Sequence, residues 1–173
     1  SKNFFEIRNG HFLASEKNKV NNVNLKIEKQ GDIVTLLGPS GVGKTTILRT
    51  IAGLQKINSG EIYLKNKIIS SENFHLEPEK RNIALSFQDN SLFPNYKVID
   101  NINFGKKRSN GNGFEIKASH IIKLLHIEAI LDKYPHQISA GEAQRVSLAR
   151  SIMSKPDLLL LDEPFSNIDQ SLK

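Results

Sequence analysis

The run Gly38-Pro39-Ser40-Gly41-Val42-Gly43-Lys44-Thr45, with Thr46 behind it, constrains this chain more than any other stretch. It satisfies the pattern G-x-x-x-x-G-K-[ST] at every position. Its flanks agree with it. Ile33-Val34-Thr35-Leu36-Leu37 is a short β-rich apolar run and predicts a buried strand. Thr45 to Ala52 predicts a helix, with Gly53 just past its end. A strand, a glycine loop and a helix start in that order make a phosphate site. Glycines let backbone N–H groups converge on an anion, and the helix N-terminus adds partial positive charge. Lys44 would reach the β- and γ-phosphates, and the Thr45 hydroxyl would ligate Mg²⁺.

Around this centre the chain alternates between sheet and helix. Val23, Leu25 and Ile27 alternate with polar residues, which predicts a half-buried strand, and Phe5 and Ile7 suggest another. The N-terminal part therefore reads as a small antiparallel sheet. Asn58-Ser59-Gly60 reads as a turn, Glu61 to Leu64 as a strand that Ile68-Ile69 can pair with, and residues 70–80 as a polar loop. Asn82 to Phe87 reads as a core strand ending at Gln88, and a glutamine there points at the ligand crevice of a phosphate-binding fold. The middle is helical. Leu92, Phe93 and their neighbours either anchor it or form an exposed apolar surface. Ala118 to Leu131 predicts one amphipathic helix with Ile121, Ile122, Leu124, Leu125, Ile127, Ile130 and Leu131 as its apolar set.

Leu158-Leu159-Leu160-Leu161 runs straight into Asp162-Glu163-Pro164. An apolar run of this length predicts a buried parallel strand, and it presents two carboxylates at its carboxyl end. Asp162 is placed to hold Mg²⁺ through water, and Glu163 to polarise an attacking water.

Composition narrows the classes that remain. The 173 residues suffice for one domain with a proper core. Without cysteine there is neither a disulfide nor a thiolate metal site, and the five histidines lack ligand spacing. No apolar run approaches the roughly 20 residues of a membrane helix. A net charge of +6 could favour nucleic acid or an anionic surface. The lysines are spread out, however, and the one compact cluster, Lys106-Lys107-Arg108, reads as a solvated loop.

With these residues in place, the chain resembles the nucleotide-binding subunit of ABC transporters. Gln88 in Ser86-Phe87-Gln88-Asp89 resembles the family's Q-loop glutamine. Ile138-Ser139-Ala140-Gly141-Glu142, continuing to Gln144-Arg145, resembles the signature motif that separates this family from other NTPases. Asp162 and Glu163 match the Walker B aspartate and the catalytic glutamate, and Ser166-Asn167-Ile168-Asp169 the D-loop. The resemblance implies an α/β P-loop ATPase of the ABC type. It would have a mostly parallel core sheet, an N-terminal antiparallel β subdomain and a helical subdomain. Residues 1–88 and 156–173 would form the core with the β subdomain, and 89–155 the helical subdomain carrying the signature.

The resemblance also implies a mechanism. Two chains would close head to tail over two ATP molecules, with Mg²⁺ on Thr45, Gln88 and Asp162, and with Gln88 and Glu163 catalytic. Gly38 to Thr46 would bind the nucleotide in one chain. Ser139, Ala140, Gly141, Glu142 and Asp169 would complete the site, Ser139 and Gly141 meeting the γ-phosphate held by the other chain's Lys44. Ser139 is also a natural helix N-cap, and the two roles are compatible. The family stacks an aromatic ring on adenine. Phe12 is the candidate here, although it also suits the core.

Departures from the family pattern are specific. Ala140 and Glu142 stand where the signature usually has glycine and glutamine, and Glu142 brings negative charge near a phosphate. The family's switch histidine lies beyond the D-loop, past Lys173. The expectation is a C-terminally incomplete domain that holds the phosphates but hydrolyses ATP poorly.

Asp162 to Ser166, Leu92-Phe93-Pro94 and Tyr134-Pro135-His136 resemble the ferric iron, polyamine, sulfate and sugar importers, ferric iron first. This implies a peripheral subunit on the cytoplasmic face of the inner membrane. Its partners would be membrane permease subunits, a second nucleotide-binding subunit and, indirectly, a periplasmic solute-binding protein. Nucleic acid is not expected. The competing readings are a soluble ABC ATPase acting on nucleic acid or ribosomes, and a module that binds nucleotide without turning it over.

Overall fold

The computed structural model describes residues 3–13, 15–32, 34, 43–86, 92–107 and 116–162. The chain divides into two compact units, residues 1–81 and 82–173. The strands after Arg81 are thus grouped with the helices rather than with the N-terminal sheet.

The first unit is an antiparallel sheet of five strands in the order β2-β1-β3-β4-β5, with one described helix. β1 (Phe5–Leu13) and β2 (Lys19–Ile27) form as the alternation predicts. β1 then pairs with β3 (Ser59–Leu64), placing Phe5 opposite Leu64 and Ile7 opposite Ile62. All four of these side chains are buried, with Ile47 and Ile51 of α1 (Lys44–Ala52) in the same unit's core. Burying such a side chain contributes about 1.5–3 kcal/mol, so this set anchors the phosphate-loop helix to the sheet.

The turn expected at residues 58–60 is not where the chain reverses. Ser59 and Gly60 already belong to β3. Gly60 sits at φ +91, and a Cβ there would lie 2.3 Å from the Asn9 carbonyl oxygen, so glycine serves a close strand crossing. The reversal comes at Lys65-Asn66, both left-handed (φ 51 and 64), the two-residue turn that matches strand twist. It delivers β4 (Lys67–Ser71), where Ile68 pairs with Tyr63. Part of the expected polar loop is therefore ordered. Ser70 and Ser71 complete β4, Phe74–His75 forms β5, and Pro78–Lys80 makes a short 3-10 turn.

Arg81 closes this unit from inside. Its side chain is 2% exposed. Nε donates to the Leu76 carbonyl at 2.6 Å, and Nη1 donates to the Thr50 and Ile51 carbonyls at 3.2 and 3.1 Å. The last two are carbonyls at the C-terminus of α1, where a helix leaves acceptors unsatisfied and carries partial negative charge. Nη2 donates to His75 Nδ1 at 3.3 Å. Burial brings the guanidinium pKa down to about 10, with Glu77 opposing the shift.

The second unit pairs β6 (Ile83–Ser86) with β7 (Leu158–Leu161) in parallel, from Ile83 opposite Leu158 to Ser86 opposite Leu161. The predicted parallel strand is present, but its burial is lower than expected. Leu160 is buried and Leu161 is 37% exposed. Among the described residues β6 is its one hydrogen-bonded neighbour. Helices α2 (Val98–Lys107), α3 (Ala118–Leu124) and α4 (Ala140–Met153) pack around Val98, Ile102, Ile121, Ile127, Val146 and Ala149. Lys106 and Lys107 form the last turn of α2 rather than a loop, a position that favours positive charge.

The single helix expected over 118–131 is two pieces. His126 takes φ +54, its N–H donates to Lys123 O, and the Ile127 N–H reaches back to Ile122 O. This is a Schellman stop with histidine where glycine is usual. Ile122 and Ile127 are both buried beside it, which secures the turn. Leu124, counted in the apolar set, is 63% exposed.

Replacing Arg81 with alanine removes a donor from each of three carbonyls, of which Thr50 O keeps the Gly53 N–H, and empties a buried space. Arg81→Ala is expected to lower stability by about 3 kcal/mol. Urea denaturation followed by far-UV circular dichroism measures it, and a midpoint equal to that of the parent contradicts the role assigned to Arg81.

Candidate functional site

The described part of the phosphate loop is its last residue and the helix that follows. Gly43 is the N-cap residue of α1 at φ 95, and a Cβ there would stand 2.4 Å from Val20 Cγ2. Only glycine combines that left-handed backbone with so near a neighbour. Gly43 itself offers no capping side chain, and no acidic residue occupies the first turn of α1. Lys44 and Thr45 open the helix, Thr45 exposed and Lys44 half-buried. A helix start with a lysine, a hydroxyl and no acidic residue in its first turn has the chemistry of an anion site. At the far end Gly53, at φ 87, gives its N–H to Thr50 O while the Leu54 N–H bonds Arg49 O, which stops the helix where the sequence predicted. Of the strand expected at 33–37 only Val34 is described, 44% exposed and in no assigned strand; the other four residues and Gly38, Pro39, Ser40, Gly41 and Val42 lie outside the described residues.

Phe12 is corrected. It is 2% exposed and pairs with Val20 across β1 and β2. A ring enclosed in the sheet offers no face to a planar base, so in this structure it is a core residue. Strict alternation from Phe5 and Ile7 would send Phe12 to the other face; the register shifts between Ile7 and Phe12, with Asn9 left-handed at φ 47, accompany its burial, whereas the local sequence is compatible with both roles.

In the second unit, the carboxyl ends of β6 and β7 lie side by side. The Asp162 N–H donates to Ser86 O at 3.2 Å, so Asp162 stands directly beyond the last strand pair. Gln88, Glu163 and Asp169 lie outside the described residues. Among the described residues no group of three or more His, Cys, Asp or Glu side chains forms a metal cluster.

The signature residues form a sharply defined helix start. Ser139 caps α4, and its Oγ accepts the Glu142 N–H at 3.1 Å. In return Glu142 Oε1 accepts the Ser139 N–H at 2.9 Å. This reciprocal pair is a capping box, and its signal in the sequence is the spacing S-x-x-E. The cap at Ser139 is as expected, and the return bond from Glu142 adds a structural role to that residue. The Ser139 N–H holds the Glu142 carboxyl below the usual carboxylate range. The Ser139 side chain, Arg145 and Lys133 assist, against burial. Ala140 is the first helical residue and has no positive φ, so alanine is tolerated where the family usually has glycine. Ser139 and Ala140 are exposed, Gly141 and Glu142 half-buried.

Leu92 and Phe93 divide the two roles open to them. Leu92 packs on the helical core, whereas Phe93 is 37% and Tyr96 44% exposed. The Phe93 ring meets Phe104 edge-on at 4.6 Å and Tyr96 at 5.3 Å, with the Arg150 guanidinium 5.4 Å from its centre. Asn101, fully buried in α2, shapes this loop. Its Oδ1 accepts the Phe93 N–H, and its Nδ2 donates to the Phe93, Tyr96 and Lys97 carbonyls. No pattern in the sequence singles out Asn101.

Residues 20–166 match the family model described as ABC transporter. The chain belongs to that family. It is 40% identical over 169 residues to the Fe(3+) ions import ATP-binding protein FbpC of Haemophilus influenzae (strain 86-028NP), covering 96% of this chain and 48% of the relative. It is 42% identical over 156 residues to the sn-glycerol-3-phosphate import ATP-binding protein UgpC of Bartonella bacilliformis (strain ATCC 35685 / KC583 / Herrer 020/F12,63), covering 89% and 44%. The chain thus spans about half the length of the curated relatives it matches. Among solved structures, the dimeric post-hydrolysis form of the ATP-binding cassette MJ0796 bound to ADP and Pi superimposes with a TM-score of 0.75 at 26% identity. It covers 96% of this chain and 77% of that one. The fold is therefore that of an ABC ATPase cassette.

The capping box makes a pH-dependent contribution. Because the folded Glu142 pKa is depressed, its stabilisation is present above the ordinary glutamate range and is lost as pH falls through the lower folded value. Glu142→Ala is expected to cost about 1 kcal/mol near neutral pH, in the range of a lost helix cap. Melting curves of parent and variant should converge in acid. A constant offset across that range contradicts the assignment.

Proposed function

We propose that this chain is the nucleotide-handling part of the ATP-binding subunit of a bacterial importer, and that ferric iron is its solute. The observation that carries the reading is the start of α1, with left-handed Gly43, then Lys44 and Thr45, and no acid in its first turn. In this reading Lys44 contacts the β- and γ-phosphates of ATP and Thr45 ligates Mg²⁺. Glu163 polarises the attacking water, and Gln88 senses the γ-phosphate. Ser139 and Gly141 meet the γ-phosphate held by a second copy, so that dimer closure depends on ATP. The dimeric state of the MJ0796 cassette supports that last element. Transporter coupling would run through the exposed Phe93 and Tyr96, against membrane-embedded permease subunits.

The repeated appearance of Fe(3+) import proteins among the relatives supports iron. The MalK maltose/maltodextrin relative of Vibrio cholerae serotype O1 (strain ATCC 39315 / El Tor Inaba N16961), also 40% identical, makes the solute the point to test. Iron uptake by cells carrying the subunit with its permease, set against glycerol 3-phosphate and maltodextrin uptake, decides it. Sugar uptake without iron uptake overturns the solute assignment.

Two substitutions test the chemistry. Lys44→Ala is expected to weaken ATP binding by about 1.5–3 kcal/mol, the contribution of hydrogen bonds to charged groups. Calorimetric titration measures it, and unchanged affinity removes Lys44 from the site. Glu163→Gln is expected to slow turnover about 10²–10⁴-fold while leaving ATP affinity in place. Steady-state phosphate release at the parent rate would move the general base elsewhere.

A further inference from the structure

Arg81 is enclosed at 2% exposure, and its donors go to one helix end and to the chain beside the sheet. Nη1 reaches Thr50 O and Ile51 O of α1, Nε reaches Leu76 O, and Nη2 reaches His75 Nδ1. Burying a permanent cation costs desolvation, and an apolar side chain fills such a space without that cost. What a planar fork of donors adds is direction. We propose that Arg81 is a positioning residue for nucleotide binding: by holding the C-terminal end of α1 it sets where Lys44 and Thr45 stand at the other end, without touching the nucleotide. This rests on the reading that the start of α1 binds the phosphates of ATP.

The burial of α1 is uneven along its length. Thr50, Ile51 and Ala52 are buried at its end, with Ile47 before them, whereas Thr45 is exposed and Lys44 half-buried. A helix of nine residues is one rod roughly 13 Å long. Gripped at its end, it moves most at its start when it tilts. Phosphate binding depends on donor placement within about 1 Å, so a small tilt is felt there. The grip is directional. Nη1 bonds two consecutive carbonyls, Thr50 O at 3.2 Å and Ile51 O at 3.1 Å. The turn itself closes on Thr50 O and Arg49 O through the Gly53 and Leu54 N–H groups, and the guanidinium adds Ile51 O to that set. Gly53 makes room for it, because a Cβ there would stand 2.6 Å from Arg81 Nε. On its other side the guanidinium is fixed to the sheet. The Leu76 N–H donates to Ile69 O of β4, and His75 pairs with Ser70 of the same strand. Arg81 therefore ties the end of α1 to β4 and β5, and the start of α1 takes its place from that tie.

The experiment titrates MgATP into the full chain, well below each variant's melting temperature, for parent, Arg81→Lys, Lys44→Ala and the double variant. Arg81→Lys keeps the charge and loses the planar fork. It should weaken ATP binding about tenfold, the scale of one hydrogen bond to a charged group. In the Lys44→Ala background the loss should shrink to about twofold, because a side chain that acts through Lys44 has little left to position. A purely structural role gives the same fold loss in both backgrounds. That result overturns the proposal, and so does parent affinity in Arg81→Lys. Should Arg81→Lys fail to melt cooperatively, His75→Ala takes its place in the same cycle. It removes only the Nη2 contact and should weaken binding about threefold. Unchanged affinity there, or an equal loss in both backgrounds, overturns the proposal. Lys44→Ala binding ATP like the parent would instead overturn the underlying reading of the start of α1, a result distinguishable from the others.

Discussion

Backbone groups left over at helix ends are the constraint on which most of this structure depends. Each helix leaves four N–H groups at its start and four carbonyls at its end without internal partners. This chain satisfies them by different means at different ends, and those means define its parts. At the end of α1 the Thr50 and Ile51 carbonyls receive a buried guanidinium from Arg81. At the end of α3 a left-handed histidine folds the chain back onto Ile122. At the start of α4 Ser139 and Glu142 satisfy one another. The start of α1 has a left-handed glycine, Gly43, at its N-cap position and no acid in its first turn.

That contrast carries the link from structure to function. A capped end is structural by default, because its donors are committed. An end entered through a left-handed glycine and followed by Lys44 and Thr45, with no acid in its first turn, has the chemistry that favours an anion. α4 lies between the two cases. Its donors are partly committed to Glu142, yet its first residues, Ser139 and Ala140, are exposed.

Much of the site is legible in the amino-acid sequence. The phosphate loop, the Leu158–Leu161 strand and the signature run all appear as short, contiguous patterns. Helix starts depend on neighbours within four residues, so S-x-x-E and G-K-T can be read locally. What escapes such reading is set at longer range. Arg81 is an ordinary basic residue until Thr50, 31 positions earlier, is placed beside it. Asn101 reads as one more polar residue until its amide is seen holding the Phe93–Lys97 loop. Phe12 suits a stacking ring or a core ring, and only the β1–β2 pairing makes it core.

The sequence by itself determined the local patterns of this protein, namely the glycine-lysine-threonine run at the start of α1, the carboxylate three residues after Ser139, and the apolar strand that runs into Asp162. Tertiary structure decided exposure. It sent Leu92 inward and left Phe93 out, ended α3 at a histidine, and exposed Leu124 and Leu161 although both belong to apolar patterns. The physical reason is that hydrogen-bonding pattern and charge are local properties of a few consecutive residues. Burial is a property of what folds against them, and those partners are distant in the chain.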